Sequence, residues 1–346
     1  MENEKPQIVN TLDEKKKKSM KNRILVGVGL AAVAVPALIV GSWFWFALIT
    51  AFAGFAIYEM IHAKGKKFHW TVWAFTYFIC AIYIFWFLAK NNISEFVYLK
   101  DAGRESEWTF ELERWYAEPA MSIYALIGAL AVYIIMALAN KDFDFSDVCY
   151  FFAMTFLVGL GFQCMLFLRY HPFFISYGLT AAEPPGVFRF WGSAVLFIFV
   201  IIGTFGSDTM AYFTGVFFGK HKMTPRISPN KTWEGFIGGW ILGGGLAFGF
   251  ALICDACGFP LIRGMEIFSE HSMWWGVAIL SFSLPIVGVI GDLCFSMIKR
   301  FFGFKDFGKL LGAHGGVLDR ADSLIFCSIL TSVLIVILEN GWRFFV

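Results

Sequence analysis

Apolar runs of about twenty residues recur along the chain and alternate with shorter polar segments. A helix rises about 1.5 Å per residue, so a run of this length crosses the roughly 30 Å hydrocarbon core of a bilayer. The pattern predicts an all-α fold, namely a polytopic helical membrane protein with about nine transmembrane helices. The predicted spans cover residues 24–40, 43–61, 71–88, 120–138, 148–167, 188–205, 233–253, 274–293 and 324–338.

Composition agrees with a membrane location. Hydrophobic residues make up 58% of the 346-residue chain, and charged residues make up only 16%. A water-soluble core cannot absorb so much apolar surface, whereas a lipid bilayer can, so the bilayer is the partner that composition predicts. A net charge of +2 gives no reason to expect a nucleic-acid partner.

Charges in the polar segments orient the predicted helices. Basic residues at 15–18, 21 and 23 precede the first span, and the positive-inside rule assigns them to the cytoplasm. The basic end of a signal peptide is the alternative interpretation. From this anchor the loop 64–67 lies inside, the acidic loop 105–113 lies outside, and an odd number of spans places the termini on opposite faces.

These predictions divide the chain into three regions. Residues 1–23 form a basic cytoplasmic tail, 24–206 form the N-terminal transmembrane helices, and 207–346 form a C-terminal catalytic transmembrane region. Two segments of the last region, 207–239 and 291–323, fall on the cytoplasmic side and carry ionisable groups of both signs. Such groups are costly to hold at a membrane, so their clustering indicates a functional site.

The downstream segment offers ligands for a hard cation. Asp292 ends an apolar run, while Asp319 and Asp322 are three residues apart and fall on one face of a helix. Oxygen-only ligation suits magnesium, which typically takes one or two protein carboxylates and completes its shell with water and substrate phosphate. We therefore expect a metal site at Asp292, Asp319 and Asp322. The alternative is that these acids only pair with nearby Lys and Arg side chains.

The same segment offers binding groups for phosphate. Its basic residues are Lys299, Arg300, Lys305 and Arg320. Arginine's planar fork matches phosphate oxygens, although basic residues beside a span also mark the cytoplasmic face or bind anionic lipid headgroups. His314 precedes Gly315 and Gly316, and glycines let the backbone present its amides to an anion.

The upstream segment begins with Asp208, placed directly after an apolar run. Ser228 and Pro229 predict a turn or helix start, and Thr232 or Ser228 is the expected N-cap of the next helix. Lys231 lies beside that helix N-terminus, whose unpaired amides and dipole favour a polyphosphate. A plain capped helix, with the lysine reaching out to the interface, is the alternative.

Glycines cluster in the span that follows, at 238–239 and 243–245. They predict close packing against another helix, because a missing Cβ lets two backbones approach. A groove for an acyl chain is the alternative interpretation.

Both polar segments resemble those of the phosphatidate cytidylyltransferase family, whose members are also called CDP-diacylglycerol synthases. The matching downstream residues are Ser296, Lys299, Arg300, Lys305, Asp306, His314, Gly315, Gly316, Asp319, Arg320 and Asp322. The matching upstream residues are Ser207, Asp208, Ala211, Tyr212, Ser228, Pro229, Lys231, Thr232, Glu234 and Gly235. The resemblance covers the chain from Ser207 onward, and Gly312 and Ala313 stand where many members have Pro-Gly.

The resemblance implies a reaction that joins CTP to phosphatidic acid and releases pyrophosphate. It implies magnesium at Asp292 and Asp319, completed by Asp322 or Asp208, with potassium as a second ion, and it implies a homodimer. Catalytic roles are implied for the metal-binding acids and the four basic residues, and His314 is expected to orient substrate as a donor. Substrate-binding roles are implied for Asp208, Ser228, Lys231, Thr232, Glu234, Ser296, Gly315 and Gly316.

Two other functional classes stay open at this point. One is a different membrane enzyme, either a polyprenol or phytol kinase or a cytidylyltransferase for another lipid phosphate. The other is a transporter or channel, which predicts charges spread through several spans and internal repeats, and the sequence shows neither. We expect the bacterial inner membrane with the active site facing the cytoplasm, and endoplasmic reticulum or mitochondrial membranes are the alternatives.

Overall fold

A computed structural model describes residues 14–84, 120–177, 186–261, 267–268, 274–308, 310 and 315–340. The acidic loop at 105–113, residues 312–313 and His314 lie outside these ranges, as do residues 85–88 of the third predicted span.

Helices make up most of the described chain, because an apolar segment in a bilayer must satisfy its backbone N–H and C=O groups internally. They are α1 (Glu14–Val40), α2 (Ser42–Ala63), α3 (Trp70–Ile84), α4 (Ala120–Ala139), α5 (Phe145–Tyr177), α6 (Gly186–Phe218), α7 (Trp233–Ala256), α8 (Trp274–Phe301) and α9 (Leu318–Asn340). One stretch inside α7, Gly239–Gly243, is a π-helix.

Each predicted span coincides with one of these helices, which confirms a helical membrane fold. Within the described ranges, five helical segments are long and apolar enough to cross a membrane. They are Trp43–Ala63, Phe145–Arg169, Ala194–Phe218, Trp233–Ala256 and Trp274–Phe301. Shorter apolar helices occupy Gly27–Val40, Trp70–Ile84 and Ala125–Ala139.

The two predicted spans that lead into the motif segments end too early. α6 continues past residue 205 to Phe218, and α8 continues past residue 293 to Phe301. The polar residues in these extensions were assigned to loops because they interrupt the apolar run, yet a helix tolerates them when they share one face. Asp292, Ser296 and Lys299 are spaced by four and three residues, so they line one side of α8.

The all-α prediction misses a small β-hairpin between α6 and α7. β1 (Lys222–Thr224) pairs antiparallel with β2 (Ser228–Thr232), so that Ser228 and Pro229 lie in a strand, not in a turn or helix start. Pro225 occupies the turn, which is closed by the amide of Ile227 donating to the carbonyl of Thr224 at 3.1 Å. Proline presets the backbone angle that the first central position of such a turn requires.

The bundle is organised around α5 and α8. α5 packs against α2, α4, α6 and α9, and α8 packs against α6, α7 and α9. Buried side chains such as Phe151, Met154 and Phe162 fill the interior along α5. N-terminal and C-terminal helices therefore share one core.

One end of the bundle collects polar residues from both halves of the chain. Lys64, after α2, forms a buried ion pair with Asp147 of α5, and its Nζ lies 4.4 Å from the centre of the Phe302 ring, just after α8. Lys66 bonds Asp144 at 3.0 Å and lowers the pKa of that carboxyl. The loop 64–67 and the downstream motif segment thus lie at the same end, as the predicted alternation of spans requires.

Candidate active site

The two motif segments meet through an ion pair. Nζ of Lys231, in β2, lies 2.5 Å from Oδ2 of Asp292, in α8. Oδ1 of Asp292 accepts a 3.4 Å hydrogen bond from the hydroxyl of Ser296, one turn further along α8. Asp208, on α6, is close enough to interact electrostatically with both Lys231 and Asp292. Residues more than eighty positions apart in sequence therefore form one charged site.

The hairpin that presents Lys231 is anchored to the start of α7. The Thr232 hydroxyl accepts a hydrogen bond from the Gly235 amide at 3.2 Å, which confirms Thr232 as the N-cap. Both carboxylate oxygens of Glu234 bind the chain where the hairpin begins. Oε2 accepts hydrogen bonds from the amides of Lys220 and His221, and Oε1 lies 2.6 Å from Nδ1 of His221. Glu234 therefore holds the hairpin in place, and His221 is a partner that sequence reasoning missed.

Glycines bring α6 and α7 into close contact beneath this site. A Cβ on Gly239 would lie 2.7 Å from Cβ of Ala211, and one on Gly243 would lie 2.5 Å from Cα of Ser207. The space where a Cβ would stand is occupied by the Thr214 side chain at Gly238 and by the Phe282 ring at Gly244. A Cβ on Gly245 would meet nothing within 4 Å. Close packing is confirmed for Gly238, Gly239, Gly243 and Gly244 but not for Gly245, and the contacts between α6 and α7 set the position of Asp208 relative to Lys231.

Asp319 is the most heavily bonded acid of the site. Its Oδ1 pairs with Nζ of Lys299 at 2.9 Å, and both side chains are less than a tenth exposed. Its Oδ2 accepts hydrogen bonds from the amides of Phe307, at 2.9 Å, and Gly316, at 3.0 Å. Gly315 has a φ of +83°, so the positive φ that its sequence suggested is confirmed. Asp319 thus joins both ends of the downstream loop to α8.

Asp322 lies one turn further along α9 and is buried. Its Oδ1 accepts a 2.8 Å hydrogen bond from the amide of Ser323. Burial, followed by the nearby Asp292 carboxylate, raises the pKa of Asp322 above its usual range. Asp292 and Asp322 therefore lie close enough for their charges to interact.

The three predicted metal ligands do not form one compact ligand set in this structure. Over the ranges that are described, no three Asp, Glu, His or Cys side chains stand close enough together to hold a metal ion. Asp319 is occupied by protein donors, whereas Asp292 and Asp322 interact with each other. Their oxygen donors still fit magnesium, which commonly takes one or two protein carboxylates and obtains its other ligands from water and phosphate.

The remaining predicted residues surround this centre. Nε of Arg300 points at the carbonyl of Ile227 in the hairpin turn, at 3.5 Å, and Nη1 donates to the carbonyl of Phe304 at 3.4 Å. Lys305 and Arg320 are exposed, and Ser228 is half-buried in β2. Arg300 therefore links the end of α8 to the hairpin that carries Ser228 and Lys231.

Glu59 is a site residue that sequence reasoning missed. It lies in α2, far from both motif segments in sequence, and is 2% exposed. Its Oε2 accepts a 3.0 Å hydrogen bond from the amide of Leu318, the first residue of α9. A single acid inside the apolar span 43–61 was the available signal, because a lone carboxylate there is costly unless it has a task.

Taken together, the fold and this site define a class: helical membrane proteins that bring a centre of mixed charge to one end of their bundle. Comparison with known sequences narrows the class. The model of the "Cytidylyltransferase family" matches residues 21–338, so the chain belongs to that family. The match extends through the N-terminal helices, well upstream of Ser207, where the motifs alone gave no family signal.

Relatives align over most of the chain. A phosphatidate cytidylyltransferase of Staphylococcus saprophyticus is 30% identical over 318 residues, covering 92% of this chain and 99% of that protein. One from Bacillus subtilis is 29% identical over 307 residues, covering 89% and 94%. One from Brucella abortus is 41% identical over 153 residues, covering 44% and 48%. These relatives are bacterial.

Proposed function

We propose that this chain is a phosphatidate cytidylyltransferase, which converts CTP and phosphatidic acid to CDP-diacylglycerol and pyrophosphate. The family match and the names of relatives that align from end to end support this function. The structural observation that carries it is the Lys231–Asp292 ion pair, because it joins the two motif segments into one centre of mixed charge.

The proposed chemistry is a direct displacement at phosphorus. A phosphate monoester carries about −1.5 to −2 charge at neutral pH, so a phosphate oxygen of phosphatidic acid is already ionised and needs no base. It forms a bond to the α-phosphorus of CTP, the bond from that phosphorus to the bridging oxygen breaks, and pyrophosphate leaves with the electron pair. The main obstacle is bringing two anions together.

The basic residues of the site address that repulsion. Lys231 lies in the hairpin, and Arg300 lies at the end of α8 that contacts the hairpin. The exposed residues Lys305 and Arg320 lie at the same end of the bundle. We assign them to binding the phosphates of CTP and phosphatidic acid, with Ser228, Thr232 and Ser296 placed beside them. His314 remains a predicted orienting donor, outside the described residues.

Magnesium is the proposed cofactor, held by Asp292 and Asp322, with Asp208 nearby and potassium as the second ion. Bound magnesium would neutralise the negative charge that develops on the α-phosphate and on the departing pyrophosphate. Asp319 stays a predicted magnesium ligand on the basis of the motif. Its contacts give it a second role, which is to hold Lys299 and the downstream loop in place.

The proposed setting is the bacterial inner membrane, with about nine spans and the site facing the cytoplasm. A site at that boundary takes CTP from water and admits phosphatidic acid laterally from the bilayer, so neither substrate must cross. We also propose a homodimer, which light scattering of the purified protein in detergent would test.

The decisive assay gives purified protein radiolabelled CTP and phosphatidic acid and measures cytidine label in the lipid extract. We expect label with magnesium and none after chelation, and less label when sodium replaces potassium. Asp292→Asn should lower the rate by on the order of 100-fold or more, because it weakens the proposed magnesium site that neutralises charge on the reacting phosphates.

The matched control is Asp255→Asn at the opposite end of α7. Asp255 also holds backbone amides, those of Ile267 and Phe268, at 2.8 and 3.0 Å, but it lies far from the proposed centre. It should keep the wild-type rate. Absence of label from folded protein with several lipid phosphates would refute the proposal, and ATP-dependent phosphorylation of a lipid alcohol would then support the kinase alternative.

A further inference from the structure

We propose that Glu59 is a positioning residue for the transfer reaction, which holds the two arms of the downstream loop, 307–308 and 315–318, from the N-terminal half of the chain. This inference rests on the proposed function. Neither motif segment contains Glu59, and its role follows from contacts that only the tertiary structure creates.

Glu59 and Asp319 together hold the two arms of the loop. Glu59 accepts a 3.0 Å hydrogen bond from the amide of Leu318. Asp319 accepts hydrogen bonds from the amides of Phe307 and Gly316, at 2.9 and 3.0 Å. The Glu59 bond also satisfies one of the otherwise unpaired amides at the start of α9. Asp319 and Asp322 lie in the first turns of that helix, so the bond fixes where both acids stand.

Two glycines of the loop leave room for the Glu59 side chain and for nothing larger. A Cβ on Gly308 would lie 2.6 Å from Cδ of Glu59, and a Cβ on Gly316 would lie 2.6 Å from the same atom. Neither glycine has a positive φ, so backbone conformation alone does not require glycine there. The carboxylate therefore sits between the arms of the loop and defines their separation.

The burial of Glu59 argues against a merely incidental acid. The side chain is 2% exposed, and its Oε1 is buried without a hydrogen-bond partner among the described residues. Burying a carboxylate with an unsatisfied oxygen is costly, and the neighbouring Asp319 adds repulsion. Leucine would fill the same helical position more favourably if packing were its only task.

The first experiment compares three substitutions at this position. Glu59→Gln keeps an oxygen for the Leu318 amide, whereas Glu59→Ala removes it and Glu59→Asp is one methylene too short to reach. We expect kcat to fall by on the order of 10- to 100-fold in the Ala and Asp variants, since small displacements of catalytic groups cost rates of this size. The Gln variant should recover most of the activity, and the KM for CTP should change much less than kcat.

Gly308→Ala provides a direct test of the contact. In the wild-type background its Cβ collides with the carboxylate, so activity should fall. In the Glu59→Ala background that collision is gone, and Gly308→Ala should cost little more. Equal costs in the two backgrounds would mean that Glu59 does not occupy the space between the arms.

Hydrogen exchange of the amides from Gly315 to Leu318 gives a readout that is independent of activity. Glu59→Ala should speed this exchange, Glu59→Gln should not, and Asp255→Asn should leave both exchange and kcat unchanged. Wild-type protein without transferase activity would overturn the proposed function alone, because the exchange data would still test the loop. Unchanged exchange in Glu59→Ala, or an Ala variant as active as Gln, would overturn the role of Glu59.

Discussion

Asp292 and Asp319 belong to one sequence segment, but their surroundings differ. Asp292 bonds Lys231 of the other motif segment and Ser296, one turn further along its own helix. Asp319 is enclosed by Lys299 and two backbone amides. For these two residues, we infer that Asp292 acts on substrate, whereas Asp319 also holds Lys299 and the downstream loop in place.

The first prediction concerns the lysine that joins the segments. Lys231→Met should lower kcat/KM for CTP by about 100-fold, because it removes a cation from a site that must hold two phosphate groups. Lys222→Met is the matched control, since Lys222 is an exposed lysine of the same hairpin and should keep near-wild-type kinetics. Equal losses in the two variants would assign the effect to general attraction of anions.

The second prediction concerns the buried pair formed by Lys299 and Asp319. Lys299→Met should lower the free energy of unfolding by about 3 kcal/mol, because it leaves Asp319 buried without its counter-charge. Lys299→Met combined with Asp319→Asn should cost less than the two single changes added together. Denaturation in detergent measures both, with Lys305→Met, at an exposed lysine of the same segment, as the stability control, and strict additivity would contradict the coupling.

Among the secondary-structure elements, the helices that carry the charged residues extend beyond their apolar runs. α6 and α8 carry Asp208 and Lys299 on their extensions, Asp292 lies at the end of the apolar run of α8, and the hairpin contacts the end of α8 through Arg300. Rigid helices position these side chains more narrowly than loops would. The glycine contacts between α6 and α7 set the spacing of the two elements.

The third prediction tests that spacing. Gly239→Ala should destabilise the protein by about 1–3 kcal/mol, because its Cβ would overlap Ala211 and force the helices apart. Gly245→Ala is the control: its Cβ has open space, and alanine's better helix propensity should leave stability equal or slightly higher. Thermal unfolding in detergent distinguishes them, and similar shifts for both would contradict close packing at Gly239.

At the scale of the whole molecule, the site depends on both halves of the chain. Glu59 and Lys64, at the end of α2 and just after it, contact the downstream segment. The family match over residues 21–338 agrees with this interdependence. We therefore expect the N-terminal helices to be required for activity and not only for membrane insertion.

The fourth prediction tests the orientation of the bundle. Cys149, near the start of α5, and Cys257, just after α7, are both exposed, and three helices separate them. In intact spheroplasts, a membrane-impermeant maleimide should label a variant whose single cysteine is Cys257. A variant whose single cysteine is Cys149 should be labelled only after the membrane has been permeabilised. The reverse pattern would invert the proposed orientation, and labelling of both from outside would contradict three crossings between them.

Several features could be predicted from sequence because they depend on local order. Apolar runs placed every helix, the Thr232 N-cap followed from its position before α7, and Gly315 allowed a positive φ. The motif spacing also identified the family. The ends of α6 and α8 and the strand at Ser228 were predicted wrongly, because helix continuation past polar residues and strand pairing depend on neighbouring elements.

Hydropathy and motif spacing alone identify a helical membrane enzyme of the cytidylyltransferase family and locate the segments that carry its charged groups. Which of those groups meet follows from the packed helices: Lys231 with Asp292, Lys299 with Asp319, and Glu59 with the start of α9. The difference arises from the range over which these effects act. Hydropathy, capping and glycine geometry act within a few residues, whereas each of these contacts joins positions separated by 20 to 259 residues and exists only once the helices have packed.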